Sequence, residues 1–251
     1  VTVTGKFGPV ASLRYIRRLR AIDRLVTTPG TDSTPGRGVV DYYRRPVRFD
    51  SHLHWSDARY LVLDVETTHV DPNRGHLLSL GWVTVDGGAV DAGSARHHFV
   101  RPPRGVDVGS SAAVHQITDT EVVGGDDVGD VVDELLADLS GRVLVCHFAR
   151  LEIGFLNRVC RTRFGIGFWP WQLVDTMQWH ADRRRRSHLP LGGDAVRLNK
   201  LMADYGLPPT RPHDALSDAF GTALLLLAMA TVGLGRSPGR LRDLLDDRSW
   251  P

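Results

Sequence analysis

The sequence predicts an α/β domain built on a mixed five-stranded sheet flanked by helices. Three observations carry this expectation. The first three strand-like segments follow one another with a hairpin turn between the second and third, so the sheet begins antiparallel. The apolar period then changes from strand-like to helical, with short apolar strands set between the helices. Finally, the first strand is apolar throughout except for two carboxylates two residues apart, which marks it as a half-buried strand with a functional role.

That first strand, residues 59–65, opens the stretch Leu61-Val-Leu-Asp-Val-Glu-Thr-Thr68. Alternation places Leu61, Leu63 and Val65 on one face and Val62, Asp64 and Glu66 on the other. Residues 77–85 form a second strand, Asp86-Gly87-Gly88 a hairpin turn, and residues 96–100 a third strand. Val128, Val131, Val132, Leu135, Leu136 and Leu139 then share one helical face, with Gly141 placed to end the helix. Residues 142–146 are a short buried strand, and 151–159 resume helical spacing. Residues 174–175 are an edge strand before a helix that runs into the arginines at 183–186. Residues 198–205 are a short helix stopped by Gly206-Leu-Pro-Pro209, and 215–232 are the long last helix.

Residues 1–56 read as a basic N-terminal extension, 57–235 as the main domain and 236–251 as a C-terminal tail. The extension holds ten Lys/Arg against four Asp/Glu, the rest of the chain 21 against 25. Such an arm fits a polyanionic partner if metal ions offset the acids of the body, and equally a solvated segment packed on that body. Within it, Leu13, Ile16, Leu19 and Val26 give a partial helical stripe. The two cysteines, Cys146 and Cys160, fall in apolar segments and form no CxxC pair. They point to a reducing, cytoplasmic compartment rather than to a disulfide framework or a zinc ribbon. The longest apolar stretch, around 223–230, is far shorter than the roughly 20 residues of a membrane span, and the Arg-rich N-terminus lacks the apolar core of a secretory signal.

Two acids side by side on a half-buried strand repel each other and are poorly solvated. A divalent cation is the simplest compensation. Two further acidic segments stand at the ends of expected elements: Cys146-His-Phe-Ala-Arg-Leu-Glu152, a strand leading into a helix, and His213-Asp-Ala-Leu-Ser-Asp218, leading into the last helix. Oxygen ligands without a cysteine cluster favour Mg²⁺ or Mn²⁺ over zinc. Four carboxylates from three segments suit two such ions about 4 Å apart, an arrangement that stabilises the attacking and leaving oxygens of a phosphodiester displacement.

Asp64-x-Glu66-Thr-Thr, His147…Glu152 and His213-x4-Asp218 together resemble the three motifs of the DEDDh exonucleases, the family of the proofreading epsilon subunit of DNA polymerase III and of ribonuclease T. Val114-His-Gln-Ile-Thr118, Val174-Asp-Thr176 and Leu198-Asn-Lys-Leu201 follow in the family's order, and the similarity covers roughly residues 57–232. The resemblance implies a ribonuclease H-like fold and metal-dependent removal of nucleotides from the 3′ end of single-stranded DNA or RNA. It implies that Asp64 bridges two divalent cations, that Glu66 and Asp218 complete the first site, and that Glu152 helps hold the second. It assigns His213 as the general base and Thr67, His69 and Val70 to the terminal nucleotide. Five residues on a helix are about 140° apart, so His213 is expected just before the helix rather than on the face of Asp218.

This chain departs from the family in two places. Glu152 stands where Asp is usual, and His69-Val70 where Gly-Leu is common. Those departures also fit an alternative function, a weak or inactive exonuclease-fold module that binds nucleic acid or a polymerase. The resemblance further implies a second copy or a polymerase subunit as protein partner, and no membrane. Asp214 is a rival ligand, four residues from Asp218. His147, His115 and Asp175 are expected to support or position rather than react. The arginines at 183–186 suit either a phosphate backbone or solvent, and of Trp169, Trp171 and Trp179 at least two suit core packing better than base stacking.

Overall fold

Strand β1 (Tyr60–Thr67) is the centre of the sheet, and every other element is placed by it. In the computed structural model, which describes residues 20, 23, 36–46, 48–103, 105–106, 124–188, 192–234 and 239–248, the strand order is β3-β2-β1-β4-β5. β2 (Leu77–Asp86) pairs antiparallel with β1, and β3 (Ala89–Phe99) antiparallel with β2. β4 (Val143–Cys146) and β5 (Leu173–Asp175) continue the sheet in parallel on the other side. The expected α/β architecture, a mixed five-stranded sheet between helices, is therefore what forms.

Side-chain alternation divides the core in two. Leu61, Leu63 and Val65 lie under helix α2 (Val128–Leu139) and helix α3 (Ala149–Phe164), with Val132, Leu135, Leu136, Ile153 and Leu156. Tyr60 and Val62 lie on the opposite face with Ala223, Leu225 and Leu226 of the last helix. Burying each large aliphatic side chain is worth about 1.5–3 kcal/mol, so both faces of β1 are firmly held. The 86–88 turn is a two-residue hairpin loop: Gly87 and Gly88 both take positive φ, +59° and +74°, as the twist-matched turn requires.

Several boundaries differ from expectation. β3 begins at Ala89 rather than 96. The tight turn forces pairing to resume at once, and an edge strand held by backbone bonds needs no apolar run, so the mostly small residues of 89–95 gave no strand signal. The last helix is α-helical over Ala215–Ala228 and continues as a wider π turn, Met229–Gly233. Ala215–Gly233 is long and apolar enough to cross a membrane by length and composition alone, although half of that stretch is buried within the fold.

The basic extension does not stand apart from the body over its described part. Helix α1 (Arg37–Arg44) places Val39, Tyr42 and Tyr43 in the same core as β1. The amides of Gly38 and Val39 donate to the Asp133 carboxylate at 3.2 and 2.8 Å, so α2 caps the start of α1. The three residues have i, i+3, i+4 spacing, an apolar stripe hidden among flanking arginines. The stripe expected at Leu13, Ile16, Leu19 and Val26 lies outside the described residues, as does His115. Nor is the tail free over residues 239–248: Leu241 and Leu244 are buried in the second core. Cys146 and Cys160 are both buried, and neither is in a disulfide.

Candidate active site

The site forms where the middle and end of β1 meet two helix starts. Because β1 and β4 are parallel neighbours, with Val62 opposite Val145, the chain leaving β4 turns into α3 beside Asp64 and Glu66. Glu152 lies in the first turn of α3 and is buried. From the other side, Asp64 pairs with Gly81 of β2. A side chain at Gly81 would collide with the backbone of Ala215 and Leu216, so glycine here lets the start of helix α6 (Ala215–Ala228) rest directly on the sheet. Asp218 in the first turn of α6 is thereby carried to β1.

The result is one acidic cluster. Asp64, Glu66 and Asp218 each offer a carboxylate oxygen, and these lie within 4.8 Å of one another. Burial pushes the Asp64 carboxyl well above the usual carboxylate range, reinforced by the charges of Glu152, Glu66, Asp218 and Asp214. Glu152 is pushed up by burial, then by Asp175 and Glu66, and its Oε2 is buried with no hydrogen-bonding partner. Asp218 is also raised by burial, but donors oppose this: the Thr210 hydroxyl lies 2.8 Å from Oδ1 and the His213 amide 3.0 Å from Oδ2. Mutually repelling carboxylates with an orphaned buried oxygen fit one or more hard divalent cations. Asp64, Glu66 and Asp218 are the clearest ligand set, with Glu152 adjoining them.

The other expected residues are placed as follows. His213 is exposed, just before α6, with a positive φ of 63°. A non-glycine residue in this conformation is strained and is held here by the bond from its amide to Asp218. Asp214, the rival ligand, caps α6 by accepting the Ser217 amide at 2.9 Å. His147 is half-buried, and its ring spans Thr176 Oγ1 at 2.8 Å and the Val196 carbonyl at 2.9 Å. A carbonyl only accepts, so Nε2 carries the proton and Nδ1 accepts from Thr176. Burial lowers the His147 pKa to about 4, keeping the ring neutral.

The loop after β1 is a tightly tied unit. The buried Thr67 donates its hydroxyl to the His69 carbonyl at 3.1 Å, and His69 Nδ1 accepts the Asp71 amide at 2.9 Å. Arg158 of α3 donates to the carbonyls of Pro72 and Gly75. Val70, at the tip, is 74% exposed. The three tryptophans pack structurally: Trp169 against Tyr43, Trp171 against Tyr42, and Trp179 buried with its Nε1 on the Asp243 carbonyl. Of the four arginines, Arg183 is engaged with Gly233 and the Trp179 ring, and Arg185 with Asp182.

Three contributors escaped the sequence reading. Gly81 was legible as an isolated glycine inside a strand, a mark of close backbone approach. Thr210 and Arg248 carried no local signal.

The family model described as Exonuclease matches residues 61–226. The PolC-type DNA polymerase III of Thermotoga maritima is 28% identical over 198 residues, covering 76% of this chain and 14% of the polymerase. That of Bacillus subtilis is 28% identical over 191 residues, covering 73% and 12%. The chain thus spans about an eighth of the length of these curated relatives. Among solved structures, the nuclease domain of 3′hExo, a DEDDh family member bound to rAMP, aligns with a TM-score of 0.61 at 14% identity over 78% of this chain and 98% of that one. E. coli Exonuclease I in complex with a dA16 oligonucleotide aligns with a TM-score of 0.59 at 14% identity over 69% and 41%. At these identities the likeness is one of fold, the ribonuclease H-like sheet flanked by helices.

Proposed function

Since the chain belongs to the exonuclease family, we propose that it is a 3′–5′ exonuclease of the DEDDh type, acting on single-stranded ends of DNA or RNA. The observation that carries this reading is the convergence of Asp64, Glu66 and Asp218 within 4.8 Å, beside the buried, unpartnered Glu152 oxygen. Asp64, Glu66, Glu152 and Asp218 would hold two divalent cations, Mg²⁺ or Mn²⁺. When bound, such ions stabilise the charge on the attacking and leaving oxygens of a phosphodiester.

The chain's own groups divide the remaining work. His213 takes the proton from the attacking water. It is exposed beside Asp218, and imidazole is the side chain whose ordinary titration range brackets neutral pH. Thr67, His69 and Val70 receive the terminal nucleotide. The exposed Val70 stands against its base, and the tied loop keeps that wedge in place. Residues 57–235 are assigned as the catalytic unit, with helix α1 of the basic segment and residues 239–248 of the tail packed onto its cores. Because its relatives are polymerases that contain this region within a much longer chain, a polymerase is the protein partner the reading favours.

The test is a 5′-labelled single-stranded oligonucleotide, matched in DNA and RNA, incubated with Mg²⁺ or Mn²⁺. A ladder shortening from the 3′ end is expected, abolished by EDTA and by Asp64→Ala and lowered roughly 10²-fold or more by His213→Ala. Glu152→Asp should keep activity and Glu152→Gln lose most of it. An oligonucleotide that is bound but left intact under both metals would leave a non-catalytic binding module instead.

A further inference from the structure

The family match ends at residue 226, yet residues 239–248 return as a strap to the edge strand β5 and to Asp175. The strap is laid down by backbone bonds along its length. The Leu241 amide donates to Leu53, Arg242 to Ser51, and Asp246 to Leu173 of the edge strand β5, while Trp55 donates to the Gly239 carbonyl. From helix α4 (Thr176–Arg186), Trp179 Nε1 reaches the Asp243 carbonyl at 2.7 Å. This docking sets the direction of Arg248. Its guanidinium bonds Asp246, Gln178 Oε1 at 3.0 Å, and the buried Asp175 carboxylate at 3.4 Å.

Asp175 is a junction. Its carboxylate accepts the Gln178 amide at 3.0 Å, capping α4, and the Ala149 amide at 3.1 Å, with the Phe148 amide at 3.4 Å, capping α3. Phe148 has φ of 91°, and no side chain of its own segment caps α3. The start of α3 is therefore held from outside, by Asp175. Three residues later on that helix stands Glu152. A buried carboxylate that must stay a strong double acceptor needs a cation beside it. Among the described residues, Arg248 is the cation within ion-pair distance.

We infer that Arg248 is a positioning residue of the metal site: by holding Asp175 it fixes the start of α3, and so the place of Glu152. This rests on the assignment of Glu152 to that site. It makes the strap a structural part of the catalytic unit, although it lies beyond the family's matched region.

The sign of one measurement separates positioning from charge. Mn²⁺ is titrated calorimetrically into the full chain, without nucleic acid, for the parent, Arg248→Met and Arg248→Lys. Removing the positive charge beside Asp175 leaves uncompensated a carboxylate whose charge acts on Glu152, which by itself would tighten cation binding. Loss of position weakens it, and Arg248→Met is expected to bind Mn²⁺ about 3- to 10-fold more weakly, at the lower edge of the effect of outer-shell partners. Hydrogen exchange at the Ala149 amide should quicken in the same variant. Arg248→Lys keeps the charge beside Asp175 but not the planar fork, and should bind between the two. Equal or tighter Mn²⁺ binding in Arg248→Met overturns the inference. If the parent binds Mn²⁺ but degrades no oligonucleotide, the exonuclease reading fails alone. If it degrades the oligonucleotide while Arg248→Met binds Mn²⁺ as the parent does, only this inference fails.

Discussion

A methyl group on Gly81 would stand 2.3 Å from the amide nitrogen of Leu216, closer than any packed side chain can lie. Gly81 faces Asp64 across the β1–β2 ladder, and Leu216 lies two residues before Asp218. The absence of a side chain at one position therefore sets the distance between carboxylates on different elements. Gly81→Ala must lift the start of α6 off the sheet. The expected cost is about 1–3 kcal/mol of stability, the range for overpacking a filled core. The expected loss of nuclease turnover is larger, about 10²-fold, because small displacements of reacting groups are costly. Urea denaturation and the oligonucleotide assay read the two separately. Parental turnover in a destabilised Gly81→Ala protein would mean that α6 shifts without moving the acids.

Clustering the acids costs the metal-free protein stability, and the cost has a definite pH dependence. Asp64, Glu152 and Asp218 have pKa values raised chiefly by burial, so the folded chain binds more protons than the unfolded one above the ordinary carboxylate range. Stability then falls as pH rises through that window and is greatest at its acidic end. In EDTA, the melting temperature should decline between mildly acidic and neutral pH, and Mn²⁺ should reverse the decline. Glu152→Gln removes one buried charge without changing shape. In EDTA at neutral pH it should melt at least about 2–4 °C above the parent, the shift that 1 kcal/mol produces in a chain of this size. A metal-free Glu152→Gln protein melting at or below the parental temperature would show that the Glu152 charge is already compensated.

What could be read from the chain alone follows from how local each signal is. Asp64 and Glu66 were legible because a charged group on a buried strand is a physical anomaly at the scale of a few residues. Glu152 and Asp218 were legible because helix starts announce themselves by spacing. Contacts that close only in three dimensions were not. Arg248 meets Asp175 across 73 residues, and Thr210 meets Asp218 from a loop with no periodicity. Val39, Tyr42 and Tyr43 did form a periodic stripe, but too short to stand out within an arginine-rich segment. The first half of β3, made mostly of small residues, was missed for a related reason: backbone pairing held it, and backbone pairing leaves no mark on side-chain pattern.

His147 tests whether a histidine inside a catalytic motif is chemical or structural. Its ring bridges Thr176 and the Val196 carbonyl, tying the end of β4 to α4 and to the segment before helix α5 (Leu198–Asp204). With a pKa near 4, it is neutral in the folded protein over a range where an unfolded histidine is charged. Its contribution is complete above about pH 6.5 and is lost as pH falls toward 4, opposite in direction to that of the acid cluster. His147→Phe leaves the Val196 carbonyl without its donor and should cost about 1–3 kcal/mol at neutral pH. Because phenylalanine does not titrate, the variant's deficit should shrink as pH is lowered from 7 to 5, measured by urea denaturation. A deficit that stays constant across that range would mean that His147 is not held neutral by burial. Near-parental stability combined with abolished turnover would move it from support of the site into its chemistry.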